Sequence, residues 1–173
     1  IMSLLPIIIA PDRRLKRPAL PVTSVNSEVR SLMDDMLETM YNAPGIGLAA
    51  PQIGVSARVL VIDINMNQSS VPGEPLLVAN PKITWASENL NTTEEGCLSL
   101  PAQYSEIERP AQIRVTFTDK NNQTKEVEAD GLLAACLQHE MDHLDGVLFV
   151  DHLSRLKRNM ILKKLAKNKR HNQ

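Results

Sequence analysis

The chain reads as an α+β protein, because a run of apolar, β-branched segments lies between an early and a late amphipathic helix. A polar turn at 119–122 between two such segments adds an antiparallel hairpin. With 173 residues, 43% of them hydrophobic and 23% charged, the chain is long enough to bury one substantial core. That composition excludes the disordered and fibrous classes. Residues 1–173 are expected to form one domain, with 152–173 a basic C-terminal helix and tail.

The apolar start, 1–10, is interrupted by Pro6, and its charges, Arg13, Arg14, Lys16 and Arg17, come after the apolar run, so it does not read as a secretory signal. Ile1 ahead of Met2 reads as a cloning or numbering remnant. Pro11, Pro18 and Pro21 predict an extended surface segment over 11–25. Val29, Leu32, Met33, Met36, Leu37 and Met40 recur at helical spacing, with Asn26 or Ser27 available as a cap, and the Met stripe reads as core packing. Asn42-Ala43-Pro44-Gly45 ends that helix. The glycine-rich segment 45–54 is open to two readings: close backbone approach to a ligand, or a tight connection to the next strand. It lacks the Lys-Ser/Thr pair of a phosphate loop.

Arg58–Ile64, Leu76–Val78 and Ile113–Thr118 are predicted strands, and a polar alternating strand runs to Glu128. Asp130 is the expected N-cap of a helix that reaches about Leu144 before Asp145-Gly146 closes it. A last helix begins near Ser154. No stretch approaches the roughly 18 apolar residues of a membrane span, so a cytoplasmic protein is expected. In that setting Cys97 and Cys136 are not expected to pair. Charge is uneven: the chain up to Asp151 carries 11 basic and 20 acidic residues, whereas 152–173 carries eight basic residues and no acidic one.

The chemistry centres on His139-Glu140-Met141-Asp142-His143. On a helix, positions i and i+4 share a face, so both imidazoles can bind one ion with Glu140 beside it. Leu132, Cys136, His139 and His143 form one stripe, which joins the candidate ligands to an apolar face. A catalytic metal site usually has three protein ligands. His152 and His171 read as solvated histidines, and Cys136 as a buried apolar thiol. Cys97 lies in Glu94–Pro101, whose glycine and proline favour an irregular, exposed backbone. It is either the third ligand or a buried structural cysteine.

Together, GIGLAAPQ at 45–52, EGCLS at 95–99 and HEMDH at 139–143 resemble the peptide deformylase motifs GφGφAAxQ, EGCφS and HExxH, in the family's order. The similarity covers essentially the whole chain and is greatest to the bacterial type. It implies mostly antiparallel strands packed around a central helix that carries HExxH. It implies Cys97, His139 and His143 as metal ligands, Glu140 as the catalytic carboxylate, and Gln52 with the Leu98 N–H as oxyanion donors. Ile46, Gly47 and Glu95 fall in segments that contact the bound peptide. The implied reaction removes the N-formyl group from the N-terminal methionine of newly made polypeptides and releases formate. The implied cofactor is one divalent ion, Fe(II) favoured as native, with Zn(II), Ni(II) or Co(II) as substitutes.

That chemistry is physically coherent. A formamide needs an activated water, a base such as Glu140, and donors for the oxyanion. Leu132, Cys136 and Ile46 suit an apolar methionine pocket, and the Gly45–Gly47 backbone can pair with an extended peptide. Arg109 is a candidate partner for Glu95, while a substrate contact by Tyr104 is doubtful, since residue types vary at its position in the family. The basic tail is either solvated or docks on ribosomal RNA where N-formylmethionyl nascent chains emerge. Neither DNA nor a membrane is an expected partner. The competing reading is a zinc endopeptidase, since HExxH is also that class's signature.

Overall fold

A computed structural model describes residues 3–65 and 74–170, together with the backbone but not the side chain of His171. Ile1, Met2, 66–73 and 172–173 lie outside the described residues, as does the reading made of Ile1. Helix α1 spans Ser27–Asn42 and starts as expected, with the Asn26 side chain accepting a hydrogen bond from the Val29 N–H. Strands β1 (Gly47–Ala49) and β2 (Val59–Ile62) come next, then β3 (Leu76–Ala86), β4 (Leu90–Cys97), β5 (Leu100–Pro110), β6 (Gln112–Thr118) and β7 (Thr124–Asp130). Helix α2 is Gly131–Leu144, and α3 is Arg155–His171.

The strands form a five-stranded sheet in the order β1-β2-β3-β6-β7 and a separate β4–β5 hairpin, and these seven strands pair with one another antiparallel throughout. Alternation along β2 explains the layers. Leu60 and Ile62 pack with Leu137, Met141 and Leu144 of α2, whereas Val59 and Val61 pack with Met33, Met36 and Met40 of α1. The Met stripe is therefore core, as expected. A third cluster joins Ile8 and Leu15 to Leu100 and Ile107 of β5, to Phe149, and to Leu165 of α3. The motif helix thus lies between the large sheet and the hairpin, within an α+β architecture.

Four expectations need correction. β3 continues to Ala86, because its polar second half pairs with β6 through register shifts that no period-2 pattern announces. Segment 94–101 is irregular only at its tip: it closes the β4–β5 hairpin, with Glu95 opposite Ser105 and Gly96 opposite Tyr104, a register shift at Gly96/Cys97 and a turn at Leu98-Ser99, and Ser99 and Leu100 are buried, not exposed. Residues 11–25 are extended only in part and are not simply surface, since Leu15, Ala19 and Val25 are buried. Backbone bonds from Ala19 N–H to Leu144 O and from Arg58 N–H to Leu20 O pin that segment down. Asp130 occupies the N-cap position of α2, yet its side chain makes no capping bond; the chain turns at Gly131, at a positive φ of 53°. No helix among the described residues is long and apolar enough to cross a membrane.

Candidate functional site

Two turns of α2 and the end of β4 build the site. His139, Glu140 and His143 are buried on the helix, and Cys97 is the last residue of the strand that faces them. One ligand atom from each of Cys97, His139 and His143 lies within 4.8 Å of the others, and Cys97 Sγ is 3.3 Å from His143 Nε2. A thiol and two imidazoles are a soft donor set suited to a borderline divalent cation. The hairpin brings this third donor from upstream of the helix, where HExxH alone could not place it.

A shell of charges orients these donors. His139 Nδ1 is 2.9 Å from Glu95 Oε1, which leaves Nε2 as the free ring nitrogen. Arg109 clamps Glu95 with a fork, Nε donating to Oε2 at 2.6 Å and one terminal nitrogen to Oε1 at 2.9 Å, and its other terminal nitrogen donates to Asp142 Oδ2 at 2.9 Å. The suggested Arg109–Glu95 contact is therefore present. Burial alone would raise the Glu95 carboxyl, but hydrogen bonds from His139 and Arg109 outweigh it and bring it down to about 2. His152 is not merely solvated; its Nε2 is 2.8 Å from Asp142 Oδ2.

The two imidazoles respond oppositely to this environment. Burial, with His139 and Arg109 adding repulsion, holds His143 well below the usual histidine range, so its ring is neutral. Burial also disfavours a charged His139, yet Cys97 and Glu95 overcome that and raise it well above the usual range. The same negative surroundings favour a cation at the point where the three donors meet. Burial lifts Glu140 to about 7, with His139 opposing the shift. Glu140 Oε2 and His143 Nδ1 are buried without a hydrogen-bond partner among the described residues.

Gln52 is held by its own turn. Its side-chain carbonyl accepts from the Ala49 N–H at 2.9 Å, so its amide nitrogen faces Ser99 Oγ at 3.1 Å and Cys97 Sγ at 3.5 Å. A groove of about 770 Å³ opens over the site, within the size range of ligand pockets. Ile46, Gly47, Glu95, Leu98, Leu132 and Cys136 all border it. Leu132 is half exposed at its rim, Cys136 is buried, and the Glu95 carboxylate is turned towards Arg109 and His139. Gly47 has to be glycine: a Cβ there would lie 2.6 Å from Glu140 Oε1 and 3.0 Å from Cys136 Sγ. The 45–54 segment connects α1 to β2 through β1 and a short 3-10 turn, and at Gly47 its backbone comes close to Glu140 and Cys136.

The sequence model of the polypeptide deformylase family matches residues 4–159. The chain belongs to that family. A peptide deformylase of Methylocella silvestris is 60% identical over 167 residues, covering 96% of this chain and 85% of that protein. One from Rhizobium meliloti is 51% identical, covering 96% and 94%. A crystal structure of peptide deformylase from Ehrlichia chaffeensis in complex with actinonin superposes with a TM-score of 0.91 at 41% identity, covering 98% of this chain and 99% of that one.

As a deformylase, the chain is an enzyme that removes the formyl group from an N-terminal methionine, and it acts on newly made peptides. Family membership sets the endopeptidase reading aside. The family also implies a divalent metal, which the donor set fits. Three residues that the deformylase fold brings into the site were passed over in the sequence. Ser99 pairs with Gln52, and Asp142 joins Arg109 to His152. Both stand inside the motifs already singled out, so position was their available signal. Ile9 borders the groove from a segment that carries no motif.

Proposed function

We propose that Cys97, His139 and His143 hold one divalent ion and that Glu140 moves the proton in formyl-group hydrolysis. The observation that carries this reading is the meeting of the three donors beside a buried carboxylate with one unpaired oxygen, at the floor of a groove. A bound divalent ion would supply Lewis acidity, lowering the pKa of coordinated water towards about 7. Glu140 takes up the water's proton and delivers it to the departing amine nitrogen. The Gln52 amide and the Leu98 N–H donate to the formyl oxygen as it becomes an oxyanion. Ile46, Leu132 and Cys136 receive the methionine side chain, while the backbone of 45–47 pairs with the peptide as an added strand, where Gly47 admits close approach. Fe(II) is our assignment for the native ion, with Zn(II), Ni(II) and Co(II) compatible with the same donors. We read 1–173 as one catalytic domain acting in the cytoplasm.

Formate release from formyl-Met-Ala-Ser by metal-loaded protein tests the reading. Cleavage of an internal peptide bond with no formate released would overturn it. Gln52→Ala is expected to lower kcat by about 10²-fold, the usual scale for one oxyanion donor.

We further propose that α3 docks on ribosomal RNA through its basic face. Lys163, Lys164 and Lys167 are exposed, whereas Leu165 between them is buried against the third core cluster. Deleting the helix would therefore uncover core, and charge removal is the cleaner test. Replacing the three lysines by Ala is expected to weaken ribosome binding and to reduce the slope of log K against log salt by about 3. Unchanged affinity and slope would leave the basic face merely solvated.

A further inference from the structure

Resting on the deformylase reading, we infer that Tyr41 and Asp63 are positioning residues for the reaction: their hydrogen bond fixes the start of β1, keeping its free backbone edge at Gly47 where an incoming peptide pairs beside Glu140. Both residues lie outside the three motifs, and neither is among the residues that line the groove.

The pairing of β1 shows which of its backbone groups are free. This strand is at one edge of the five-stranded sheet, with β2 beside it. In an antiparallel pair, residues that exchange hydrogen bonds with the partner strand alternate with residues whose N–H and C=O point the other way. The Asp63 N–H donates to Ile46 O at 2.9 Å, so position 46 faces β2. With Gly47 opposite Ile62 and Leu48 opposite Val61, positions 47 and 49 turn their backbone groups away from β2. Ala49 agrees with this, since its N–H donates to the Gln52 side-chain carbonyl. Gly47 is then the position whose backbone groups face the groove that it lines. It also packs so closely on α2 that an added Cβ would lie 2.6 Å from Glu140 Oε1. The pairing edge and the proton-moving carboxylate therefore share one local geometry.

The two ends of β1 are held differently. Towards Ala49 the strand runs into the 3-10 turn, where Gln52 closes back on it. Towards Gly45 it emerges from the end of α1, and three ties meet at Asp63. Asp63 Oδ2 accepts from the Tyr41 hydroxyl at 2.7 Å, Oδ1 accepts from the Asn65 N–H at 3.1 Å, and the Asp63 N–H holds Ile46. Tyr41 stands in the last turn of α1, and the neighbouring Met40 carbonyl accepts from the Gly45 N–H at 2.8 Å. The 43–46 backbone is thus strung between α1 and β2, and the Tyr41–Asp63 bond joins those two supports. Burial first, and the Asp63 carboxylate after it, raise the Tyr41 phenol above its usual value, so it keeps its proton and donates. Asp63 is buried, where a bond from a hydroxyl to a carboxylate is stronger than at the surface.

The peptide pairs with this edge before the chemistry and keeps the pairing through it, so a displaced edge weakens substrate and transition state alike. Steady-state kinetics of metal-loaded Tyr41→Phe on formyl-Met-Ala-Ser test the inference. KM is expected to rise about tenfold, with kcat within about twofold of native and metal content unchanged. A bond that served stability alone would act differently: partial unfolding reduces the active fraction, which lowers apparent kcat and leaves KM where it was. Asp63→Asn, which keeps an acceptor but loses the charge, is expected to raise KM about threefold. Combining the two should give a KM within about twofold of the larger single effect, because both changes act through one bond. A native KM in Tyr41→Phe, or effects on KM that multiply in the double variant, overturns the positioning role. Absence of formate with the native protein would overturn the deformylase reading itself.

Discussion

Replacing Glu140 by Gln is expected to lower kcat on formyl peptides by about 10²–10⁴-fold while leaving the metal content of the protein unchanged. The magnitude is that of a positioned general acid–base group. Glutamine keeps the shape and much of the polarity of the side chain but cannot accept a proton, and Glu140 is outside the Cys97, His139 and His143 donor set. The buried position sharpens the expectation. Glu140 is almost fully enclosed, and its Oε2 has no hydrogen-bond partner among the described residues. Elemental analysis beside the kinetics separates the two contributions. Loss of metal together with loss of turnover would move Glu140 into the metal-holding set, and near-native turnover would remove it from the proton path.

Arg109→Ala is expected to cost about 3–5 kcal/mol of stability, because it leaves buried carboxylate charge without its cation. Glu95 is 7% exposed and Asp142 is partly covered, and one guanidinium holds both. For a chain of this length the cost corresponds to a fall in Tm of about 10 °C. Metal retention should also drop, by about 10–100-fold in affinity, since Glu95 orients His139 and is itself oriented by Arg109. Arg109→Lys should recover only part of each effect, because an ammonium restores the charge but not the planar fork that meets both Glu95 oxygens. Thermal unfolding and competition with a chelator measure the two quantities. An Arg109→Ala protein with native Tm and native metal retention would show that the buried network carries no structural weight.

Legibility in the sequence depended on how local each feature was. The α1 stripe and its Asn26 cap, and the reach of α2 from Gly131 to Leu144, depend on residues within a few turns of one another, and they stood close to where expected. The β4–β5 hairpin did not, since in Leu90–Cys97 the strand-favouring Thr92 and Thr93 are outnumbered by Asn91, Glu94, Glu95 and Gly96, which disfavour a strand. Its pairing with β5 and the packing of Leu100 and Ile107 hold it, and both are set by distant parts of the chain. The segment 11–25 was misjudged for the same reason. Its prolines suggest a surface loop, but Leu15 and Ala19 find partners more than 80 residues away.

What the sequence by itself determined is the inventory of the site: two imidazoles and a carboxylate on one helix, a thiol in EGCLS, an amide in GIGLAAPQ and, through their order, the family. Helix periodicity is local physics, so His139, Glu140 and His143 could be placed together without a fold. Only the tertiary structure decided which cysteine faces them, that Glu95 is spent on His139 and Arg109, that Asp142 ties Arg109 to His152, and that Ile7 and Ile9 border the groove. These are contacts between residues far apart in the chain. They exist because burial of the hairpin and of the N-terminal segment repays the entropy of closing those loops, a balance that no window of sequence contains.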